Sequence, residues 1–312
     1  MLVLTHPACL DHQPGPDHPE APQRVQAVVD ALRAAFPTQL RWEQAPAAKL
    51  GELARVHERA MIDNVLREQS EPLRSLDIDT RTSPGSAHAA LHAAGAGVAA
   101  VDAIMLGHSQ RVFCVVRPPG HHATADTSMG FCLFNNIAIA AAYVLDKYGL
   151  ERIAVVDFDV HHGNGTQAIF ENDARVGYFS THQAGLFPYT GSRRERGLGN
   201  ICNILLPPGS DSLRFRDVWH EQMLPAIDGF KPQLLLVSAG FDADLRDPQA
   251  DLMLGPEDFA WVTTELAAIA RRHCDGRLLS MLEGGYNVQA LAEDCVAHVQ
   301  ALLADATSTQ AE

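Results

Sequence analysis

Apolar positions along the chain fall into two rhythms. Longer stretches carry them every three or four residues, and shorter runs are continuously apolar and β-branched. In "HPEAPQRVQAVVDALRAAF" prolines give way to Val25, Val28, Val29, Leu32 and Phe36 at helical spacing. "GSAHAALHAAGAGVAAVDAIM" (85–105) predicts a helix whose small residues allow close packing against a neighbour. "RVFCVV" (111–116) predicts a strand halted by "RPPG", and "NNIAIAAAYVLDKYG" predicts a helix closed by Gly149. The alternation continues with a strand at 152–156, the strand "RVGYFS", a Gly-rich loop at 183–200 and the strand "ICNILL". Next come the helix "SLRFRDVWHEQMLPAIDGF", the strand "QLLLVSAG", the helix "PEDFAWVTTELAAIARRH" and the strand "RLLSML". A last helix, "VQALAEDCVAHVQALLAD", leads into "ATSTQAE", which reads as a frayed tail. Strands alternating with helices of this length predict an α/β fold, with a mainly parallel sheet covered on both faces. No linker divides the pattern, so a single domain is expected.

Composition narrows the class. With 312 residues, 46% hydrophobic and 20% charged, the chain has the make-up of a soluble globular protein. No continuous apolar run approaches the roughly 18 residues that suggest a membrane span, and "MLVLTHPACLDH" lacks the regions of a secretory signal. A cytoplasmic protein without membrane association is expected. Six scattered cysteines with no C-x-x-C pair suggest reduced, mostly buried thiols and no cysteine-based zinc site. A formal net charge of −14 argues against general nucleic-acid binding and is compatible with cationic substrates such as lysine-rich peptides or polyamines.

The chemistry gathers where strands end. After "VFCVV" come the adjacent His121 and His122; after "IAVV" comes "DFDVHHGNG"; after "LLLVS" comes "AGFDADLRDPQ" with Asp242; after "LLSML" comes "EGGYN" with Tyr286. In open parallel sheets ligands sit outside the carboxyl ends of the strands, so these clusters share one rim. Residues i, i+2 and i+4 of an extended segment face the same way, which aligns Asp157, Asp159 and His161. Asp242 from another strand end would complete a three-ligand site with an open position, suited to a catalytic divalent metal such as zinc. Asp159, His161 and Asp242 are the favoured ligands, with Asp157 one step deeper as a partner for an imidazole. Singly, each residue has a structural reading as a capping aspartate, a surface histidine or a turn glycine. Together they supply the partners that buried charges require. No phosphate loop, G-x-S-x-G elbow or Cys–His nucleophile is present.

The blocks "RPPGHHA", "GFCLFNNIAIAA", "VVDFDVHHGNGTQ", "SAGFDA" and "LEGGYN" resemble, in order and spacing, the signatures of the histone deacetylase family. The likeness treats 1–304 as one catalytic domain and 305–312 as a disordered tail. Asn164 and "LEGGYN" are similar to the class II branch, whose bacterial members include acetylpolyamine amidohydrolases. The resemblance implies the arginase–deacetylase fold, with about eight strands, one zinc per subunit and amide hydrolysis. By it, Asp159, His161 and Asp242 hold zinc, and His122 acts as general base and then acid. His121, paired with Asp157, stabilises the transition state; Asn164 orients His122 but cannot stabilise its charged form as a carboxylate would; Tyr286 donates to the carbonyl oxygen. Phe131 and Phe187 wall an acyl-lysine tunnel, Gly130 accepts the substrate amide N–H, and Gly284 with Gly285 lets Tyr286 swing inward. Asp157, Asp159, His161 and Ser180 hold a structural potassium ion.

Gln249 occupies a mouth position where polyamine-preferring relatives carry Glu and lysine-peptide relatives an apolar residue, and Asp77 or Asp79 is expected at the rim. The leading expectation is a zinc-dependent deacetylase of acylated lysine side chains. An acetylpolyamine deacetylase and a non-catalytic metal-containing binding module are the alternatives. Iron(II) suits the same ligands, and a homo-oligomer is compatible with all three readings.

Overall fold

The structure, a computed structural model, describes residues 1–307. Its strands are β1 (Leu2–Thr5), β2 (Arg41–Gln44), β3 (Arg74–Ser75), β4 (Arg81–Thr82), β5 (Arg111–Cys114), β6 (Ile153–Asp157), β7 (Val176–Gln183), β8 (Ile201–Leu206), β9 (Leu234–Ala239) and β10 (Leu278–Leu282). Eight form one sheet in the order β2-β1-β5-β10-β9-β6-β7-β8, every pairing parallel. The hairpin β3–β4 stands apart. Every residue of β5, β6, β9 and β10 is buried, as continuously apolar strands covered on both faces must be.

Two helical layers do the covering. On one face lie α4 (Ser86–Met105) and α5 (Asn136–Tyr148), in one apolar core with Leu2, Val112, Val155 and Leu279. On the other, α1 (Gln23–Ala35), α9 (Pro256–Cys274) and α10 (Val288–Thr307) pack over Val3, Phe113, Val156 and Leu235. Successive residues of a strand thus enter opposite cores, the pleat seen from inside. The result is a single α/β domain.

The structure adds to the sequence reading in several places. "LVLT" is the strand β1, and Arg41–Gln44 pairs with it as the sheet's edge strand, too polar to be read from its pattern. Helices α2 (Leu50–Leu53), α3 (Arg59–Leu66) and α6 (Asn164–Phe170) span about one to two turns, too few for a sustained apolar repeat. The helix expected over 212–230 is α7 (Ser212–Val218) and α8 (Leu224–Phe230) joined by a π turn at Trp219–Met223. Pro225 lacks an amide hydrogen and its ring would meet the carbonyl one turn back, so the helix widens ahead of it. The same turn buries Trp219, whose indole N–H reaches Thr181 Oγ1 at 3.2 Å. By length and composition α4 could cross a membrane, but 72% of its apolar window is buried between sheet and α5. Its hydropathy comes mainly from alanine rather than a run of large apolar side chains. Residues 305–307, expected in the tail, continue α10; 308–312 lie outside the described residues.

What matters for function is the strand order. The four strands whose ends carry polar clusters, β5, β10, β9 and β6, are consecutive in the centre of the sheet.

Close packing makes α4 sensitive to bulk. A Cβ on Gly95 would collide with the Pro46 carbonyl and come within 2.8 Å of the Ala48 nitrogen, both rigid backbone. Gly95→Ala should lower the unfolding free energy by about 1–3 kcal/mol in urea denaturation, despite alanine's better helix propensity.

Candidate active site

Past the end of β6 the chain bends through "DVHH", and backbone amides fix each carboxylate as it emerges. Asp157 Oδ1 accepts the Asp159 N–H at 3.2 Å, and Asp159 Oδ1 accepts the His161 N–H at 2.9 Å. Asp242, past β9, accepts the Val160 N–H at 2.9 Å, and Asp159 Oδ2 accepts the Gly284 N–H, past β10, at 2.8 Å. Three strand ends are thus tied to one another through acids. Glycine is required where they meet. A Cβ on Gly240 would strike Asp159, and one on Gly284 would strike the carboxylates of Asp242 and Asp159.

His161 Nδ1 lies 3.1 Å from Asp159 Oδ1 and 3.1 Å from Asp242 Oδ2. The ligand atoms of Asp159, His161 and Asp242 all fall within 4.8 Å of one another, and all three residues are buried. Two carboxylates this deep require positive charge. Burial would push Asp159 up, but the imidazoles of His121 and His161 outweigh it and hold this carboxyl far below the usual range. Asp242 is pushed the other way by burial and by the charge of Asp159. Burial opposes protonation of His161, yet the two acids raise its pKa to about 10. A protonated His161 supplies one positive charge. A divalent cation displacing that proton supplies two, matching both acids, with a donor set of two oxygens and one nitrogen suited to zinc or iron(II). The residues fit a catalytic metal.

Beside the triad, the adjacent histidines have opposite environments. His121 Nδ1 sits 3.0 Å from Asp157 Oδ2, which also accepts from the Tyr178 hydroxyl at 3.0 Å. Burial disfavours its charge, but Asp159 and Asp157 together raise its pKa to about 10. His122 Nδ1 sits 2.9 Å from Asn164 Oδ1, an acceptor, so its proton is on Nδ1 and Nε2 bears the lone pair. Burial, then the nearby His121 and His161, push His122 well below the ordinary imidazole range. One histidine is held charged behind the site, and the other neutral within it.

Only His122 of the pair lines the cavity above the triad, which encloses about 190 Å3 between Asp79, Gly130, Phe131, His161, Phe187, Gln249 and Tyr286. Phe187 meets the His122 ring at 5.1 Å and Phe131 meets the Tyr286 ring at 5.7 Å, both edge to face. Gly130 and Phe131 have φ of 57° and 67°, a left-handed pair that turns the aromatic ring into the cavity. Asp79 Oδ1 accepts the Gly130 N–H at 3.1 Å and Thr80 Oγ1 accepts the Phe131 N–H at 3.0 Å. His57 clamps both ends of this loop: its Nδ1 donates to the Thr124 carbonyl at 2.9 Å and its Nε2 accepts the Asn135 N–H at 2.8 Å.

Most residues anticipated from sequence therefore converge. Gly284 contacts the metal-site acids rather than the cavity, and of Asp77 and Asp79 only Asp79 lines it. Ser180 is in register with Asp157 on the neighbouring strand, its hydroxyl 2.9 Å from His182 Nδ1. His162 turns away to Thr190 Oγ1 and Gln167 Oε1.

Fold and site together are those of an α/β amide hydrolase built on a candidate cation site. More narrowly, the chain belongs to the histone deacetylase family: the histone deacetylase domain matches residues 18–302. It is 38% identical over 294 residues to a probable deacetylase of Archaeoglobus fulgidus, covering 92% of this chain and 81% of that one. It is 38% identical over 304 residues to the human polyamine deacetylase HDAC10, covering 92% of this chain and 45% of that longer protein. The crystal structure of the HDA15 HD domain superposes with a TM-score of 0.91 at 33% identity, covering 98% of this chain and 89% of that one.

Several working residues escaped the sequence reading. Glu20 and Arg24 are fully buried with Arg117, the residue opening "RPPG". Arg117 Nε and Nη2 grip Glu20 at 2.7 and 2.6 Å, and Arg24 Nη1 takes Glu20 Oε1 at 3.0 Å. Arg24 also donates to the carbonyls of Glu283 and Gly285, and its guanidinium lies 4.8 Å over the Tyr286 ring. Glu283 accepts the N–H groups of Gly120 at 2.7 Å and His121 at 3.2 Å, tying β10 to the histidine pair. The one available signal was the i,i+4 spacing of Glu20 and Arg24 entering a helix. Arg117 also donates to the buried carbonyls of Cys9 and His12, so Arg117→Met leaves these without a donor and Glu20 with Arg24 as its one arginine partner, and should destabilise the protein by about 3–5 kcal/mol in thermal or urea unfolding.

Proposed function

We propose that the protein is a zinc-dependent deacetylase, removing acetyl or other small acyl groups from lysine side chains of peptides or proteins. The observation that carries this reading is a narrow cavity in which His122, Tyr286 and His161 face one another between Phe131 and Phe187. Its walls suit an apolar acyl-alkyl chain, and its polar groups stand together at one place.

A zinc ion held by Asp159, His161 and Asp242 would polarise the amide carbonyl and lower the pKa of bound water to about 7. Neutral His122 accepts the proton of the attacking water at Nε2 and returns it to the departing amine, a leaving group too basic to depart unprotonated. His121, held charged by Asp157 and Asp159, lends positive potential to the oxyanion without releasing its proton. Burial pushes the Tyr286 phenol well above its ordinary value against the pull of Arg24, so it remains a donor toward that oxyanion. The family resemblance adds a structural potassium ion on backbone carbonyls of Asp157, Asp159, His161 and Ser180.

An acylated polyamine is the second reading, favoured by the Asp79 carboxylate at the cavity and the net charge of −14. Gln249 contributes no charge for a distal ammonium, which is why lysine substrates are preferred here. Comparing kcat/KM on acetyl-lysine peptides, longer-acyl peptides and acetylputrescine separates the two, and an acetylputrescine preference would reverse the order.

Tyr286→Phe should retain stoichiometric metal and lose about 100- to 1000-fold in kcat on an acetyl-lysine peptide. Full activity of that variant would overturn the mechanism, whereas no turnover of any acylated amine by the metal-loaded, unaltered protein would favour a non-enzymatic role. Asn164→Asp places a carboxylate against His122 Nδ1 and favours its charged form. The acid limb of the pH–rate profile, where the base becomes protonated, should therefore move to higher pH.

A further inference from the structure

Three other histidines meet where the chain leaving β1 passes the first turns of α4. His88 and His92 are one helical turn apart, and their Nε2 atoms are 3.0 Å from each other. His6 stacks flat on His92, ring centroids 3.5 Å apart and planes 1° from parallel, while His88 meets both rings edge-on. None of the three lines the substrate cavity.

The hydrogen bonds decide which nitrogens are available. His92 Nδ1 is 2.7 Å from the Ala45 carbonyl oxygen, which can only accept, so Nδ1 carries the proton and Nε2 presents its lone pair toward His88. Metal-ligating imidazoles are held in this way, one nitrogen donating to a carbonyl and the other free to bind. His6 differs: its Nδ1 accepts the Ala8 N–H at 3.1 Å, which occupies that lone pair and makes the ring a packing partner. His92 is 8% exposed and fixed in its orientation, whereas His88 is open to solvent. The pair is pre-arranged on one side and accessible on the other.

We propose that His88 and His92 form a chelating site for a divalent, nitrogen-preferring transition ion such as Cu2+ or Ni2+, separate from the catalytic centre, with water at the remaining positions. Two imidazole nitrogens bound cis on a square or octahedral ion at ~2.0–2.1 Å stand about 3.0 Å apart. That is the separation already present, so binding displaces the proton shared between the rings and asks the exposed His88 ring only to turn until its lone pair meets that of His92 at the ion. A neutral surrounding helps: burial and its two histidine neighbours lower the pKa of His6, against Asp11.

The test is a Cu2+ titration of the purified protein, its resident metal quantified first, followed by electron paramagnetic resonance and metal analysis. The unaltered protein should bind one Cu2+ more per chain than His88→Ala, with two-nitrogen coordination in its spectrum. At this site the variant should lose at least the ~10- to 100-fold in affinity that loss of an outer partner alone produces. His88 is exposed, so its removal leaves the fold intact, and copper taken up by other histidines cancels in the comparison. Equal stoichiometry and affinity in the two proteins, or a spectrum without histidine nitrogens, would overturn the proposal.

Discussion

Two carboxylates buried side by side are the constraint around which this protein is organised. Asp159 and Asp242 lie in the interior, each within 3.1 Å of a single imidazole nitrogen. Such a pair is tolerable only with positive charge between or beside it. Much of the surrounding structure answers that demand. Backbone amides from Val160, His161 and Gly284 point at the acids, His121 stands charged behind them, and Gly240 and Gly284 leave room for carboxylates where a methyl group would collide. The sheet supplies the geometry, because its four central strands all end at this place.

A second buried network supports the first from behind. Glu20 sits between Arg117 and Arg24, and Arg24 reaches the backbone that delivers Tyr286. The phenol is thus fixed by residues that never enter the cavity. His122, by contrast, is kept neutral by burial and by charged histidine neighbours, which outweigh the hydrogen bond to Asn164 that favours its charged form. The opposite charge states of the adjacent histidines follow from what each ring touches on its far side.

The sequence disclosed the parts of this arrangement that rest on short-range pattern. The strand-end clusters were legible because Asp157, Asp242 and Tyr286 each end or follow an unmistakable apolar strand; Asp159 and His161 reach the same place through a bend fixed by carboxylate-to-amide hydrogen bonds rather than by strand alternation. Edge strand β2 was not legible, since "RWEQ" has no apolar alternation and is held by its pairing with β1. The interruption at Trp219–Met223 follows from a single proline in an otherwise helical pattern. The contacts of Arg117, Glu283 and His57 were hidden for a different reason: each acts on chain segments some 80 to 160 positions away, a separation no local periodicity records.

Asp247 joins three functions in one side chain. Its Oδ2 accepts the backbone N–H groups of Tyr286 and Asn287, and its Oδ1 accepts that of Gln249. Position 249 is therefore anchored by its main chain alone, leaving its side chain to face the mouth without a framework duty. Under the proposed function, selectivity could drift there by single substitutions, from amide to acid to aliphatic, while the backbone that carries Tyr286 keeps its registration. In evolutionary terms the entrance is an interchangeable fitting on a fixed engine.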